Sequence, residues 1–158
     1  MDCPVDAALQ TLPETALAVA FSGGLDSSVL LHALARRCPD RLEALHVDHG
    51  LQANSARWAD VCRARAASWG VACRVLQIEV DPAHPGGLEA AARAARYQAM
   101  TAALSPGTRL VLAHHREDQA ETVLLRLLRR SGPRGLASMR GLRPGEHGVW
   151  IWRPLLDL

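Results

Sequence analysis

The chain has 158 residues, of which 49% are hydrophobic and 22% charged, as expected for one globular domain with a single sizeable core. Its net charge of +2 gives no whole-molecule argument for nucleic-acid binding. All 18 basic residues are arginine, and a chain without lysine can form neither a Walker-type phosphate loop nor a Schiff base.

Short apolar runs alternate with longer amphipathic runs, a pattern typical of βαβ units and a parallel sheet. The sequence predicts five strands, at Leu17–Phe21, Leu42–Val47, Cys73–Val80, Arg109–Ala113 and Val149–Arg153. It predicts four helices between them, at Asp26–Arg37, Ala53–Trp69, Leu88–Leu104 and Glu117–Arg130. With right-handed crossovers, these elements form an α/β domain with a doubly wound, mostly parallel five-stranded sheet and helices on both faces.

The first predicted strand runs directly into the segment Ser22–Ser28, which reads SGGLDSS and leads into the first helix. Open α/β sheets bind ligands at the carboxyl ends of their strands. The adjacent residues Gly23 and Gly24 allow backbone N–H groups to approach an anion closely, and the serine hydroxyls add donors. The segment therefore predicts a phosphate cradle, in which Asp26 either caps the helix or holds a magnesium ion that bridges phosphates.

Polar segments also follow the next three strands, at His46–Leu51, residues 81–87 and residues 114–119. We expect them to gather at one crevice, because the carboxyl ends of parallel strands lie at one edge of the sheet. The second of these segments is rich in proline and glycine and is a candidate for a mobile lid.

Two histidines and two acidic residues follow the fourth strand. Adjacent residues at a strand end point to opposite sides, so His114 and His115 do not suit a zinc site. Magnesium bound by the oxygens of Asp118, with Glu117 as a second possible ligand, fits the chemistry better. Capping of the first helical turn explains both carboxylates equally well, and one residue can do both.

A basic stretch covers the next part of the chain, because no acidic residue falls between Glu121 and Glu146. It suits the phosphates of a nucleotide or of RNA, although a solvated helix face is an alternative. Six arginines lie there, namely Arg126, Arg129, Arg130, Arg134, Arg140 and Arg143.

The remaining features bound the kind of protein. The four cysteines form no C-x-x-C pair, and neither a signal-peptide pattern nor a membrane-spanning apolar run is present. We therefore expect a reduced, cytoplasmic protein that does not bind a membrane. The apolar segment Trp150–Leu156 close to the last residue leads us to expect that residues 1–158 are a single domain truncated at its C-terminal end. Oligomeric state leaves no sign in the sequence.

Several segments resemble a known family. The segment SGGLDS resembles the PP-loop of the ATP pyrophosphatases, which release AMP and pyrophosphate. Further segments are similar in order and spacing to the tRNA(Ile)-lysidine synthetase family: HVDHGL at His46–Leu51, LEAAARAARY at Leu88–Tyr97, AHHREDQAET at Ala113–Thr122, SGPRGLASM at Ser131–Met139 and RPLL at Arg153–Leu156. The resemblance implies a Rossmann-like PP-loop fold of the adenine nucleotide alpha-hydrolase type and a PP-loop ATP-binding domain.

That resemblance also implies a function. A ligase of this family uses ATP and Mg²⁺ to adenylate C2 of the wobble cytidine in the isoleucine tRNA with a CAU anticodon. Free L-lysine then displaces AMP to form lysidine. By position, the ATP loop comprises Ser22, Gly23, Gly24, Leu25, Asp26 and Ser27. The implied metal ligands are Asp26 and Asp118, and the implied catalytic residues are Asp26, His49, Arg96, Glu117 and Asp118.

The chain departs from the family pattern at two positions. The family usually has two aspartates where this chain has Glu117 and Asp118, and a glycine where it has Arg130. Two other functions stay open. Another PP-loop tRNA-modifying enzyme, such as a thiolase, would be expected to carry C-x-x-C cysteines, and a catalytically incomplete ATP-binding module would bind the nucleotide without turning it over.

Overall fold

A computed structural model describes residues 3–50, 54–80, 85–128 and 139–158. Within these ranges its helices are α1 (Pro4–Ala8), α2 (Leu25–Ala35), α3 (Ser55–Ser68), α4 (Gly87–Ala102) and α5 (Arg116–Leu128), with a 3-10 turn at Pro39–Arg41. Its strands are β1 (Leu17–Ala20), β2 (Leu42–Asp48), β3 (Ala72–Gln77), β4 (Arg109–Val111), β5 (Leu142–Pro144) and β6 (Trp150–Trp152).

The strands form one sheet in the order β3-β2-β1-β4-β6-β5. In that order, the neighbours from β3 to β6 all pair in parallel, and β5 pairs antiparallel with β6. The predicted mostly parallel α/β sheet is confirmed, with six strands instead of five. Strand β5 was missed because it has only three residues and ends in Pro144, which is tolerated at a sheet edge but weakens the strand pattern.

Helices cover both faces of the sheet, as predicted. Along β1, Leu17 and Val19 face one buried cluster and Ala18 faces the other, as the alternation of side chains along a strand requires. The first cluster packs against helices α2 and α3, and the second against Met100 of α4 and Leu104 beyond it. The central strand β1 is therefore buried on both sides, and its carboxyl end is held in a fixed position.

Several helices and strands begin or end a few residues away from the predicted positions. Helix α2 begins at Leu25 and ends at Ala35, and β3 ends at Gln77, three residues before the predicted Val80. Helix α1 was not predicted, because its five residues are too few for a helical repeat. Its place is fixed by Arg37, which donates to the Leu9 carbonyl at 2.9 Å.

Among the residues that the structure describes, no helix has the length and apolar character needed to cross a membrane.

The burial of α2 gives a direct test of the fold. Leu34 is fully buried, whereas Leu25 on the same helix is 77% exposed. Leu34→Ala should lower the free energy of unfolding by about 2–5 kcal/mol, because it leaves a cavity in a packed core. Leu25→Ala, the matched control, should change it by less than about 0.5 kcal/mol. Urea unfolding measures both, and equal losses in the two variants would contradict this packing.

Candidate active site

A cleft of about 510 Å³ opens at the carboxyl ends of β1, β2 and β4. The chain order makes this the switch point of the sheet, because β2 lies on one side of β1 and β4 on the other. Ser22 after β1, His49 after β2 and His114 after β4 all line the cleft. Arg96 and Tyr97 of helix α4 line it from one face of the sheet. The structure thus brings together segments that lie far apart in the sequence.

The segment that follows β1 forms a tight, internally bonded turn, which we call the glycine loop (Ser22–Ser27). Gly23 has a φ of +80°, a left-handed conformation that favours glycine. The Ser22 and Ser27 hydroxyls lie 3.0 Å apart, and the Ser27 hydroxyl donates to the Gly24 carbonyl at 3.2 Å. Helix α2 starts at Leu25 immediately afterwards, and the first N–H groups of a helix have no intrahelical acceptor. The loop therefore presents donors and the positive end of a helix dipole to the cleft.

Two carboxylates line the cleft beside this loop. The Nε2 atom of His115 lies 3.9 Å from Oδ2 of Asp26 and 3.6 Å from Oδ2 of Asp118. Both carboxylates are accessible, with 59% and 37% of their side chains exposed. Asp118 also accepts the backbone N–H of His115 at 2.9 Å, so it caps α5 as well as facing the cleft.

These residues suit a magnesium ion only in part. No group of three or more His, Cys, Asp or Glu side chains in the described ranges could hold a metal ion unaided. Mg²⁺ usually keeps several waters and takes one or two carboxylates together with substrate phosphates. Asp26 and Asp118 supply that number of carboxylates at the glycine loop, so the donor set fits Mg²⁺ bound together with a phosphate-bearing ligand.

Glu117 occupies a different position from Asp118. It is exposed and is not among the residues that line the cleft, although it neighbours Asp118 in the sequence. Successive residues of a helix point about 100° apart, so only one of an adjacent pair faces a given site. Its backbone N–H donates to Nδ1 of His115 at 3.3 Å.

Asp48, the last residue of β2, and His49 after it place two ionisable side chains in the cleft. Asp48 is buried, and a hydrogen bond from the Gly50 N–H is the main cause that lowers the pKa of its carboxyl. Burial, followed by the charge of Arg96, lowers the pKa of His49, so this imidazole is uncharged at neutral pH. Its Nδ1 atom is buried and has no hydrogen-bond partner among the described residues. Asp48 was not proposed as a site residue, although it lies in the same motif as His49.

A buried arginine fixes the state of a second cleft histidine. Arg153, only 4% exposed, donates from Nε to Nδ1 of His114 at 3.2 Å and from Nη1 to the Arg140 carbonyl at 3.0 Å. A guanidinium has no acceptor, so Nδ1 of His114 must be unprotonated and its proton lies on Nε2. Burial, followed by the charge of Arg153, lowers the pKa of His114 to about 4. His114 is therefore uncharged at neutral pH, and its Nε2–H is a hydrogen-bond donor.

Parts of the sequence-based site lie outside the described residues. These are residues 81–84 of the candidate lid and residues 129–138, which include Arg129, Arg130 and Arg134 of the basic stretch. Met139, the first described residue after this range, is held to α5, because the Gln119 amide donates to the Met139 carbonyl at 3.0 Å and accepts its N–H at 2.7 Å.

An open α/β sheet with a glycine loop and a helix N-terminus at its switch point defines a nucleotide-binding domain. Residues 3–158 match the PP-loop domain family, and the chain belongs to that family.

The sequence also matches longer proteins. The sequence is 54% identical over 147 residues to a tRNA(Ile)-lysidine synthase of Alkalilimnicola ehrlichii, covering 91% of this chain and 33% of that protein. It is 53% identical over 147 residues to the tRNA(Ile)-lysidine synthase of Xanthomonas campestris pv. campestris, with 91% and 34% covered. The chain thus spans about a third of the length of these curated relatives.

A solved structure agrees with the fold. The U34-tRNA thiolase of Methanococcus maripaludis superimposes with a TM-score of 0.70 over 98% of this chain and 56% of the thiolase. The two sequences are only 16% identical, so the likeness concerns the architecture alone.

The buried His114 predicts a pH dependence of stability. The pKa of its imidazole falls from 6.5 to about 4 on folding, so between these values the unfolded chain binds a proton that the folded chain does not. This group therefore lowers the free energy of unfolding as pH falls, by up to about 1.4 kcal/mol per pH unit. His114→Gln removes that contribution while keeping an N–H donor, so urea unfolding across this pH range should give a shallower slope. An unchanged slope would contradict the assignment.

Proposed function

We propose that this chain is the ATP-using domain of a tRNA(Ile)-lysidine synthase. The reaction adenylates C2 of the wobble cytidine in the isoleucine tRNA with a CAU anticodon, joins free L-lysine there, and releases pyrophosphate and AMP. One observation carries the proposal: the glycine loop meets the carboxylates of Asp26 and Asp118 in one cleft of a PP-loop domain. Curated relatives that are 53–54% identical bear that enzyme's name, which supports this substrate over others.

The chemistry assigns the loop to the leaving group. When the C2 oxygen of cytidine attacks the α-phosphorus of ATP, an O–P bond forms and the bond to the β-phosphate oxygen breaks. Negative charge then grows on the departing pyrophosphate. The N–H groups of the glycine loop and the start of α2 stabilise that charge without reorganising. Asp26 and Asp118 would hold Mg²⁺, which when bound offsets further charge on the phosphates.

Residues on the other wall serve the second step. The ε-ammonium of free lysine loses a proton to solvent, the resulting amine attacks C2, a C–N bond forms, and the C–O bond to AMP breaks. Arg96 contributes a permanent positive charge on this wall, which suits the departing AMP. His49 and His114 are uncharged at neutral pH, so they add hydrogen-bonding groups to this wall but no further positive charge beside Arg96.

A modification assay tests the proposal. The 158-residue chain is incubated with ATP, L-lysine and transcripts of the CAU-anticodon tRNA, and lysidine, AMP and pyrophosphate are measured beside an ATP-binding titration. Lysidine formation supports the proposal. ATP binding without release of AMP or pyrophosphate would favour an ATP-binding module, and modification that requires a sulfur donor instead of lysine would favour a thiolase.

The carboxylates give a sharper test. Asp26→Asn and Asp118→Asn keep the shape of each side chain and remove its charge, so each should weaken MgATP binding by about tenfold or more. Glu117→Gln is the matched control, since it makes the same change next to Asp118 but outside the cleft, and it should bind MgATP within about twofold of the parent chain. Calorimetric titration measures all three, and a larger loss in Glu117→Gln would reverse the roles assigned to this pair.

If tRNA is the partner, its binding constant should depend strongly on salt concentration. Arginines that contact phosphates position an RNA without reading its sequence, so the basic stretch should give binding with little preference for the cognate tRNA. If its six arginines each neutralise one phosphate, the logarithm of the binding constant should fall with a slope of about −5 against the logarithm of salt concentration. Titrations with cognate and non-cognate tRNA measure this, and strong discrimination or a flat salt dependence would contradict it.

A further inference from the structure

One face of helix α3 lies directly against the glycine loop. Trp58, Cys62 and Arg65 are spaced at i, i+4 and i+7, which places them on the same side of a helix. The indole Nε1 of Trp58 donates to the Ser22 carbonyl at 2.8 Å. The Arg65 guanidinium donates from Nη1 to the Gly23 carbonyl at 3.0 Å. Two consecutive carbonyls of the loop are thus bound by one helix.

These two bonds determine the direction of two backbone N–H groups. The described residues contain no cis peptide bond, and in a trans peptide the N–H points opposite to the C=O. With the carbonyls of Ser22 and Gly23 directed at α3, the N–H groups of Gly23 and Gly24 must point away from it. Of these two residues Gly24 lines the cleft, and its N–H donates to the Ser22 hydroxyl at 3.3 Å, a long bond that an approaching phosphate would replace.

The two side chains bound to the carbonyls also act against the opposite orientation. Indole N–H and guanidinium are donors with no acceptor, so neither can bond to a peptide N–H. If either peptide turned over, an N–H would face a donor and a carbonyl would face the phosphate. Trp58 and Arg65 therefore stabilise only the orientation that binds an anion.

Close packing leaves the loop little room to move towards α3. A Cβ atom built on Gly23 would lie 2.8 Å from the Sγ atom of Cys62 and 3.2 Å from the Trp58 ring. Cys62 is itself fully buried, so it cannot easily move aside. Gly23 is thus required both by its positive φ and by its contact with the helix.

We propose that Trp58 and Arg65 are positioning residues, which hold the peptide groups of the glycine loop ready for phosphate before any ligand arrives. They act through the Ser22 and Gly23 carbonyls, and thus on the loop to which the proposed function assigns the pyrophosphate leaving group. This inference rests on the proposed function in taking the ligand as ATP. It extends that function by assigning a role to two residues outside the motifs that define the family resemblance.

The test compares phosphate ligands in matched variants. Trp58→Phe keeps an aromatic ring but removes the N–H donor, and Arg65→Met keeps much of the chain length but removes the guanidinium. Trp150→Phe and Arg63→Met are controls, because Trp150 is exposed on β6 and Arg63 is an exposed residue of α3 that pairs with Asp60. Calorimetry with inorganic pyrophosphate, MgATP and AMP measures affinity, and urea unfolding measures stability.

Both test variants should bind pyrophosphate and MgATP about tenfold or more weakly, because misplaced donors lose much of their effect. AMP, which lacks the β- and γ-phosphates, should bind within about twofold of the parent chain, as should all three ligands in both controls. Arg65→Lys restores a donor with no acceptor and should recover most of the pyrophosphate affinity. A merely structural role would weaken AMP and pyrophosphate binding alike and would not separate lysine from methionine.

Each failure has a distinct meaning. Unaltered pyrophosphate binding in Trp58→Phe and Arg65→Met, or equal losses in Arg65→Lys and Arg65→Met, would overturn the positioning role. A parent chain that binds neither MgATP nor pyrophosphate would instead overturn the proposed function. If Trp58→Phe does not fold, Arg65→Lys and Arg65→Met still decide the question, since they differ at the same exposed end of one side chain.

Discussion

The contact between Gly23 and helix α3 is the constraint on which the cleft depends. The turn from β1 into α2 needs a residue with a positive φ, and at the same position Cys62 and Trp58 leave no space for a side chain. The loop is therefore fixed on both sides. The buried sheet holds its start through β1, and α3 holds its middle through two carbonyls. The direction of α2, with its positive N-terminus at the cleft, follows from that turn.

Accessible carboxylates and neutral histidines lie in different regions of the cleft. Carboxylates that are accessible, Asp26 and Asp118, lie near the glycine loop, whereas the histidines enclosed by the opposite wall are kept neutral by burial and by neighbouring arginines. A nucleotide with a metal ion suits the first region, and the positive charge of Arg96 in the second suits an anionic leaving group. This division suits the proposed reaction, in which two anionic leaving groups, pyrophosphate and AMP, depart from one cleft.

The sequence predicted the parts of the site that follow strands of the sheet, because the carboxyl ends of parallel strands always lie at the same edge of the sheet. Ser22, His49 and Asp118 were found this way. Contacts between distant segments leave no local pattern, so Trp58 and Arg65, which lie 36 and 42 residues beyond the carbonyls they bind, were missed. Arg153 belongs to the RPLL segment, but the apolar residues around it in the sequence do not indicate its contact with His114.

Strand β5 has a consequence for how the chain behaves at high concentration. It covers the β6 side of the sheet with only three residues, the last of which, Pro144, has no N–H to offer a further strand. The hairpin that joins it to β6 is closed by a bond from the Gly145 N–H to the Val149 carbonyl at 2.8 Å. A short edge interrupted by proline is a poor template for sheet-to-sheet pairing. The same hairpin that escapes notice in the sequence therefore protects one edge of the sheet against aggregation.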